Sequence, residues 1–230
     1  MKVKLISVSK ASREMATEGI YDAQELIAFC ARVSNPSNQF NTETSEKLIR
    51  YLVKHKHWSP LEMVSACLEI ETTRDIARQM LRHRSFSFQE FSQRYADPTK
   101  DLDFVIREAR LQDTKNRQNS VELDLHGNDE HRQIAYQWEN LQKKLIDQVR
   151  ETYAWAISKG IAKEQARAVL PEGNTVSRLY MNGTLRSWIH FIELRSANGT
   201  QLEHQDVAKA CAAVIAEVFP MASEFVQTDS

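Results

Sequence analysis

Residues 82–95 read Arg-His-Arg-Ser-Phe-Ser-Phe-Gln-Glu-Phe-Ser-Gln-Arg-Tyr, and no other stretch restricts the fold as tightly. Fourteen residues carry three arginines, a histidine, a glutamate and two glutamines, threaded with Phe86, Phe88, Phe91 and Tyr95. The aromatics favour leaving water, and any polar group that leaves with them must find a partner. A plain surface loop would not hold so many rings, and a plain core strand would not hold so many charges. Guanidinium groups suit phosphate through their planar fork. The segment therefore reads as the wall of a site for an anionic, flat-ringed ligand. Arg82-His83-Arg84 taken alone would read as a solvated basic turn; the whole pattern changes that.

The flanking residues predict its local geometry. Thr73 is placed to cap a helix over 74–83, which contains good helix formers and neither Gly nor Pro. On such a helix Arg74, Arg78 and Arg82 share one face, with Asp75, Gln79 and His83 beside it. Extended chain from Phe88 onward would line up Glu90, Ser92 and Arg94 on one side. That strip could accept from a base and donate to a phosphate.

Composition narrows the setting. With 30 basic and 31 acidic side chains in 230 residues, the formal net charge is -1, so an anion site must be local rather than a global field. The length is ample for one core, and the expectation is a single domain over 1–230. Cys30, Cys67 and Cys211 are scattered without paired spacing, which argues against disulfides and zinc and fits a reducing compartment. No signal peptide or long apolar run is present, so a cytoplasmic protein without membrane attachment is expected.

Along the chain, alternation predicts strands at 1–9, 63–71 and 176–181, with a short one at 104–106. Helices are expected over 22–32, from Asn41 or Thr42 with Leu48, Leu52 and His55 on one face, over 163–170, from Thr184 to Arg195, and over 206–219. Ile134, Trp138, Leu141, Leu145, Val149 and Tyr153 recur at helical spacing and predict a long amphipathic helix ending near Gly160. Residues 110–132 are polar without a period, a solvated excursion or a lid, the excursion being favoured. Asn182-Gly183 reads as a turn. The fold class is α+β, with a central mixed or antiparallel sheet flanked by long helices.

Arg-His-Arg followed by Ser87, Glu90, Ser92 and Arg94 resembles the signature of the flavin-dependent thymidylate synthases. The departure is Gln89, where that family usually has Asn. Two further stretches resemble it as well: Ser59-Pro60-Leu61-Glu62, like its (Thr/Ser)-Pro-x-Glu element, and Ala166 to Pro171, like its Ala-Arg-x-x-Leu-Pro. The helix from Thr184 to Arg195 is also similar throughout, and the likeness is weakest over 100–130.

The resemblance implies site roles. Ser59, Arg82, His83, Arg84, Glu90, Thr184, Arg186 and His190 would contact FAD. Gln79, Arg82, Glu90, Phe91, Ser92, Gln93, Arg94, Arg167 and Arg195 would bind dUMP, with Arg195 activating the base. It implies NADPH and methylenetetrahydrofolate as co-substrates, no metal, and a homotetramer with shared sites. No Gly-rich dinucleotide fingerprint follows the first strand, so FAD comes from the resemblance alone. A competing reading is a single-stranded nucleic-acid module using 82–95, with arginines on phosphates and Phe86, Phe88 and Phe91 stacking on bases. Balanced charge and Glu90 within the cluster count against it.

Overall fold

Alternation at the N-terminus produces β1 (Lys2–Val8), in which Val3, Leu5 and Val8 pack on the core. A bulge between Leu5 and Ser7 shifts the phase and leaves Ile6 exposed. The computed structural model describes residues 1–227. After the short α1 (Arg13–Thr17) comes α2 (Ala23–Ala31), opened by a reciprocal capping box between Asp22 and Glu25. The next helix, α3 (Ser45–Lys54), starts later than predicted. Asn41 is used in the preceding turn, where its side chain accepts from Thr44 N and its carbonyl from Arg32. Leu52 is buried and Leu48 packs inward as expected, with Ile49, whereas His55 is exposed at the helix end.

The centre is β2 (Ser65–Thr73), followed by α4 (Arg74–Met80), β3 (Ser87–Glu90) and the short α5 (Pro98–Asp101). Two three-residue strands, β4 (Arg110–Gln112) and β5 (Ser120–Glu122), form a hairpin within the segment expected to be a shapeless excursion. Its turn is organised by Asp113, whose carboxylate accepts from Lys115 N and Asn116 N. Phe104 makes one isolated bridge with Thr175 instead of a strand. Then follow α6 (Asp129–Ser158), the single turn α7 (Lys163–Ala166), β6 (Val176–Thr184), α8 (Leu185–Ser196) and α9 (Leu202–Ala216). The last begins four residues before the predicted start and ends before Phe219.

The main sheet has the order β1-β2-β6-β3 and every pairing is antiparallel. One face carries Ala66, Leu68 and Ile70 and is covered by α8 and α9 through Trp188, Ile189, Ile192, Val207, Cys211 and Ile215. Trp188 Nε1 donates to Ala66 O at 3.0 Å, so the large ring is buried without an orphaned donor. The other face carries a charged ladder, with Lys4 on Glu69 at 2.8 Å and Arg178 on Glu71.

Asn182-Gly183 is not a turn. Both residues lie in β6, paired with Cys67 and Ala66. Glycine is used there for close approach: a Cβ at Gly183 would stand 2.4 Å from Phe86 Cδ1. Among the described residues no helix is long and apolar enough to cross a membrane.

Candidate active site

The segment at 82–95 links α4 to β3 and continues past the sheet edge. Thr73 occupies the N-cap position of α4, but its hydroxyl is used on Asp75 and Arg107 rather than on a backbone N–H. The helix ends at Met80, three residues short of the prediction, so the three arginines do not share a face. Arg74 is buried and reaches Glu90 at 3.4 Å, and Arg78 pairs with Glu172 at 3.5 Å on the surface. Arg82 lies beyond the helix and is exposed. Among the described residues neither Arg82 nor Arg84 has an ion-pair or side-chain hydrogen-bond partner.

Glu90 is held from behind. Its Oε1 accepts from Ser177 Oγ at 2.8 Å as well as from Arg74. Past Phe91, whose N–H still bonds Arg178 O, the chain turns: Tyr95 N and Ala96 N both donate to Ser92 O. Glu90, Ser92 and Arg94 therefore do not form the expected extended strip. The turn instead sends Arg94 to α7, where it lies 3.4 Å from Glu164, while Arg167 Nε donates to Glu164 O at 3.3 Å. Lys163 Nζ ties the same corner by donating to Tyr95 O at 2.9 Å. Gln93 in that turn is buried, and its Nε2 has no partner among the described residues.

A second group runs along α8. Thr184 caps the helix by accepting from Ser187 N at 3.3 Å, which commits its hydroxyl to the backbone. Arg186 pairs with Glu62 at the end of the 3-10 turn that begins at Ser59. His190, one turn on, is exposed and stands edge-on to Trp58 at 4.6 Å. In the last turn Arg195 Nε donates to His83 Nε2 at 2.9 Å. Burial, with Arg195 and then Arg82 beside it, holds His83 down at about 4. The Arg195 guanidinium has no carboxylate partner among the described residues.

Gln79 sits with neither group. Its Nε2 donates to Gln201 Oε1 at 2.9 Å and its Oε1 faces His204 Nδ1 at 3.2 Å. Gln201 in turn donates to Glu203, which pairs with Arg107 and Arg110. Starting the last helix at Asp206 hid these residues. His204, Val207, Cys211 and Ile215 recur at helical spacing, the signal that would have put a histidine on the buried face.

The predicted residues thus gather as two groups, Ser59, His83, Arg186, His190 and Arg195 along α8, and Gln93, Arg94 and Arg167 around α7, with Glu90 held by Arg74 and Ser177. No hydrogen bond or ion pair joins the groups among the described residues. A cavity of about 370 Å³ opens elsewhere, lined by Glu71, Thr73, Arg107 and Glu203, and no predicted site residue lines it. The free cations Arg82 and Arg84, with Arg186 and His190 on one helix edge, are a donor set that fits an anionic dinucleotide such as FAD. They do not make a stacking platform for nucleic acid. Phe86 is buried against Trp188, 4.8 Å between ring centres, and Phe88 is half-buried.

None of the cysteines is prepared as a nucleophile. Burial pushes the Cys30, Cys67 and Cys211 thiols up, Cys211 most of all, and no residue that would stabilise a thiolate shifts them the other way.

The sequence model of the family described as thymidylate synthase complementing protein matches residues 17–221. The probable flavin-dependent thymidylate synthase of Paramecium bursaria Chlorella virus 1 is 50% identical over 220 residues, covering 96% of each chain. The flavin-dependent thymidylate synthase of Synechocystis sp. is 45% identical over 221 residues, again 96% of each. Among solved structures, the UMP/dUMP methylase PolB from Streptomyces cacaoi bound with 5-Br dUMP aligns with a TM-score of 0.76 and 26% identity, covering 97% of this chain and 93% of that one. Signature, sheet and near full-length identity agree, and the chain belongs to the flavin-dependent thymidylate synthase family.

Proposed function

We propose that the protein converts dUMP to dTMP by reductive methylation, with FAD bound, methylenetetrahydrofolate as carbon donor and NADPH as the source of electrons. The observation that carries this reading is Arg195. Its cation is half-buried on α8, hydrogen-bonded to the His83 imidazole and, among the described residues, matched by no carboxylate. A guanidinium so placed can stabilise negative charge on N3 and O4 of a uracil ring, making C5 electron-rich without a covalent bond to the protein. The raised cysteine thiols agree with a route that needs no thiolate.

Arg94 and Arg167 hold the nucleotide phosphate at the α7 corner, with Ser92 and Gln93 beside them; the unpartnered amide of Gln93 is a donor for that ligand. Glu90, paired with Arg74, shapes the floor between them. Ser59, Arg82, Arg84, Arg186 and His190 hold the flavin, which when bound supplies the hydride chemistry. Thr184 supports that edge by starting α8.

The active form is a homotetramer with shared sites. Two features support this: the separation of the α8 and α7 groups, and the exposure of Ile134, Trp138, Leu141 and Leu145 in the apolar stripe of α6. Purified protein should show a flavin absorption band and form dTMP from dUMP with both co-substrates. Sedimentation should give a tetramer. Mixing Arg195→Lys with Arg94→Ala subunits should give, at limiting dUMP, more activity than either variant shows alone. A colourless protein, or a fully active monomer, would overturn the respective part of the reading.

A further inference from the structure

We propose that His83 is a positioning residue for Arg195: its imidazole accepts the Arg195 Nε–H and so leaves the two terminal nitrogens of the guanidinium aimed at the uracil base. This rests on the role given to Arg195 above.

The contact is a single hydrogen bond at the root of the fork, Nε to Nε2 at 2.9 Å. Among the described residues the Arg195 Nη atoms make no hydrogen bond or ion pair. Anchoring at Nε fixes the plane of the guanidinium while both Nη groups stay available for bidentate contact with a ring edge. The ring of His83 is itself fixed, standing edge-on to Phe191 at 5.1 Å and to Phe86 at 6.4 Å. For Nε2 to accept, the ring must be neutral with its proton on Nδ1.

The surroundings enforce that state. Among the described residues, the charged and titratable groups beside His83 are Arg195 on α8, Arg82 on its own loop and His204 on α9, and no carboxylate acts on it. A protonated His83 would set a second cation against Arg195, and burial adds to that cost. His83 therefore stays an acceptor through the neutral range.

A histidine suits this place better than the more usual carboxylate. An aspartate or glutamate here would orient Arg195 too, but it would also neutralise the charge and compete with the base for the fork. A neutral acceptor orients the guanidinium and leaves its full charge for the charge that develops on the pyrimidine.

The test uses flavin-loaded protein, His83→Leu and His83→Gln, each alone and with Arg195→Lys. Flavin occupancy, dUMP affinity and single-turnover methylation at saturating dUMP are measured for each. His83→Leu should lower the methylation rate by roughly 10- to 100-fold, the scale of a hydrogen bond to a charged group, while keeping its flavin. His83→Gln, whose side-chain oxygen can stand near the Nε2 position, should recover most of the rate. In the Arg195→Lys background His83→Leu should add less than about threefold, because the two residues act as one unit. Rates that multiply, a Leu variant within twofold of wild type, or a Gln variant no better than Leu would overturn the inference. Loss of flavin in both variants would return His83 to the cofactor.

A measurement on the unmutated holoprotein stands apart from folding of the variants. Nitrogen-15 histidine spectra at neutral pH should show His83 as the neutral Nδ1–H tautomer with Nε2 accepting. A cationic ring or an Nε2–H would overturn the inference. If that tautomer is found but the wild-type protein makes no dTMP, the synthase reading has failed and the Arg195–His83 geometry has not.

Discussion

Replacing Gly183 with alanine should damage the signature segment from behind. The residue lies in β6 opposite Ala66, and it is not among the glycines with positive φ, so its backbone can accept alanine. The cost is steric. The new methyl would stand 2.4 Å from Phe86 Cδ1 and 2.6 Å from Cε1. Phe86 cannot simply retreat, since Trp188 and Phe191 pack on it with ring centres 4.8 and 6.1 Å away. Overpacking of this kind costs about 1–3 kcal/mol, which for a chain of this size lowers Tm by roughly 2–12 °C. The displaced ring belongs to the loop whose Ser85 O accepts from Ser187 Oγ and whose His83 holds Arg195, so methylation should fall as well. The assay is thermal denaturation with and without flavin, beside dTMP formation. Phe86→Leu makes room, so the double variant should be more stable than the sum of the two single effects predicts. An alanine variant with unchanged Tm and unchanged activity would refute the close-approach argument. So would a loss that Phe86→Leu does not relieve.

The other expectations follow from separate parts of the molecule. Arg94→Ala should weaken dUMP binding by roughly 10- to 100-fold with flavin retained, since a charge-assisted contact to phosphate is lost; titration of dUMP into flavin-loaded protein measures it. Cys30→Ala, Cys67→Ala and Cys211→Ala should each keep synthase activity, with at most about 1–3 kcal/mol of stability lost where the thiol is buried; an inactive but folded, flavin-loaded variant would point to a thiol nucleophile. Acid should destabilise the fold through His204, which burial, with Arg195 and His83, holds down at about 3. Above the ordinary histidine value neither folded nor unfolded chain is protonated there, so no stability is at stake. Below it the unfolded chain takes up the proton first, and stability falls by roughly 1.4 kcal/mol per pH unit towards the folded value. His83, partly open to solvent, adds a smaller loss of the same sign. Urea midpoints between pH 7 and 4 should fall less steeply for His204→Gln than for wild type, and equal slopes would refute this.

Short-range rules served well where one local interaction decides the structure. Alternating Ala66, Leu68 and Ile70 fixed β2, Asp22 and Glu25 fixed the start of α2, and Thr184 fixed the start of α8. They failed where a distant group took over a residue's preferred partner. Asn182-Gly183 carries ordinary turn chemistry, but pairing with Cys67 and Ala66 and the approach of Phe86 hold it straight. Thr73 stands at the N-cap of α4, yet the distant Arg107, together with the neighbouring Asp75, claims its hydroxyl. The site behaved alike. Signature spacing put the candidate residues in one contiguous stretch, and the fold divides that stretch between two places. Turning at Ser92 gives Arg94 to α7, and ending α4 at Met80 gives His83 to α8.

Periodicity on α6 shows what a sequence pattern can and cannot say. Ile134, Trp138, Leu141, Leu145, Val149 and Tyr153 do form one helix of 30 residues. Only Val149 and Tyr153 are buried within the chain, against Ala166 and Leu170, while the first four remain exposed. A hydrophobic stripe records that a face is to be covered, and it carries no mark of whether the cover comes from the same chain. On β2 the same kind of pattern is satisfied internally because α8 and α9 return over it. The N-terminal half of α6 packs through Gln142 on the chain at Arg107, and that contact leaves the four residues of the stripe exposed. Four large apolar side chains along more than two turns exceed the isolated exposed residue that needs no explanation. The period that identified the helix therefore also marks the exposed face on which the proposed tetramer rests.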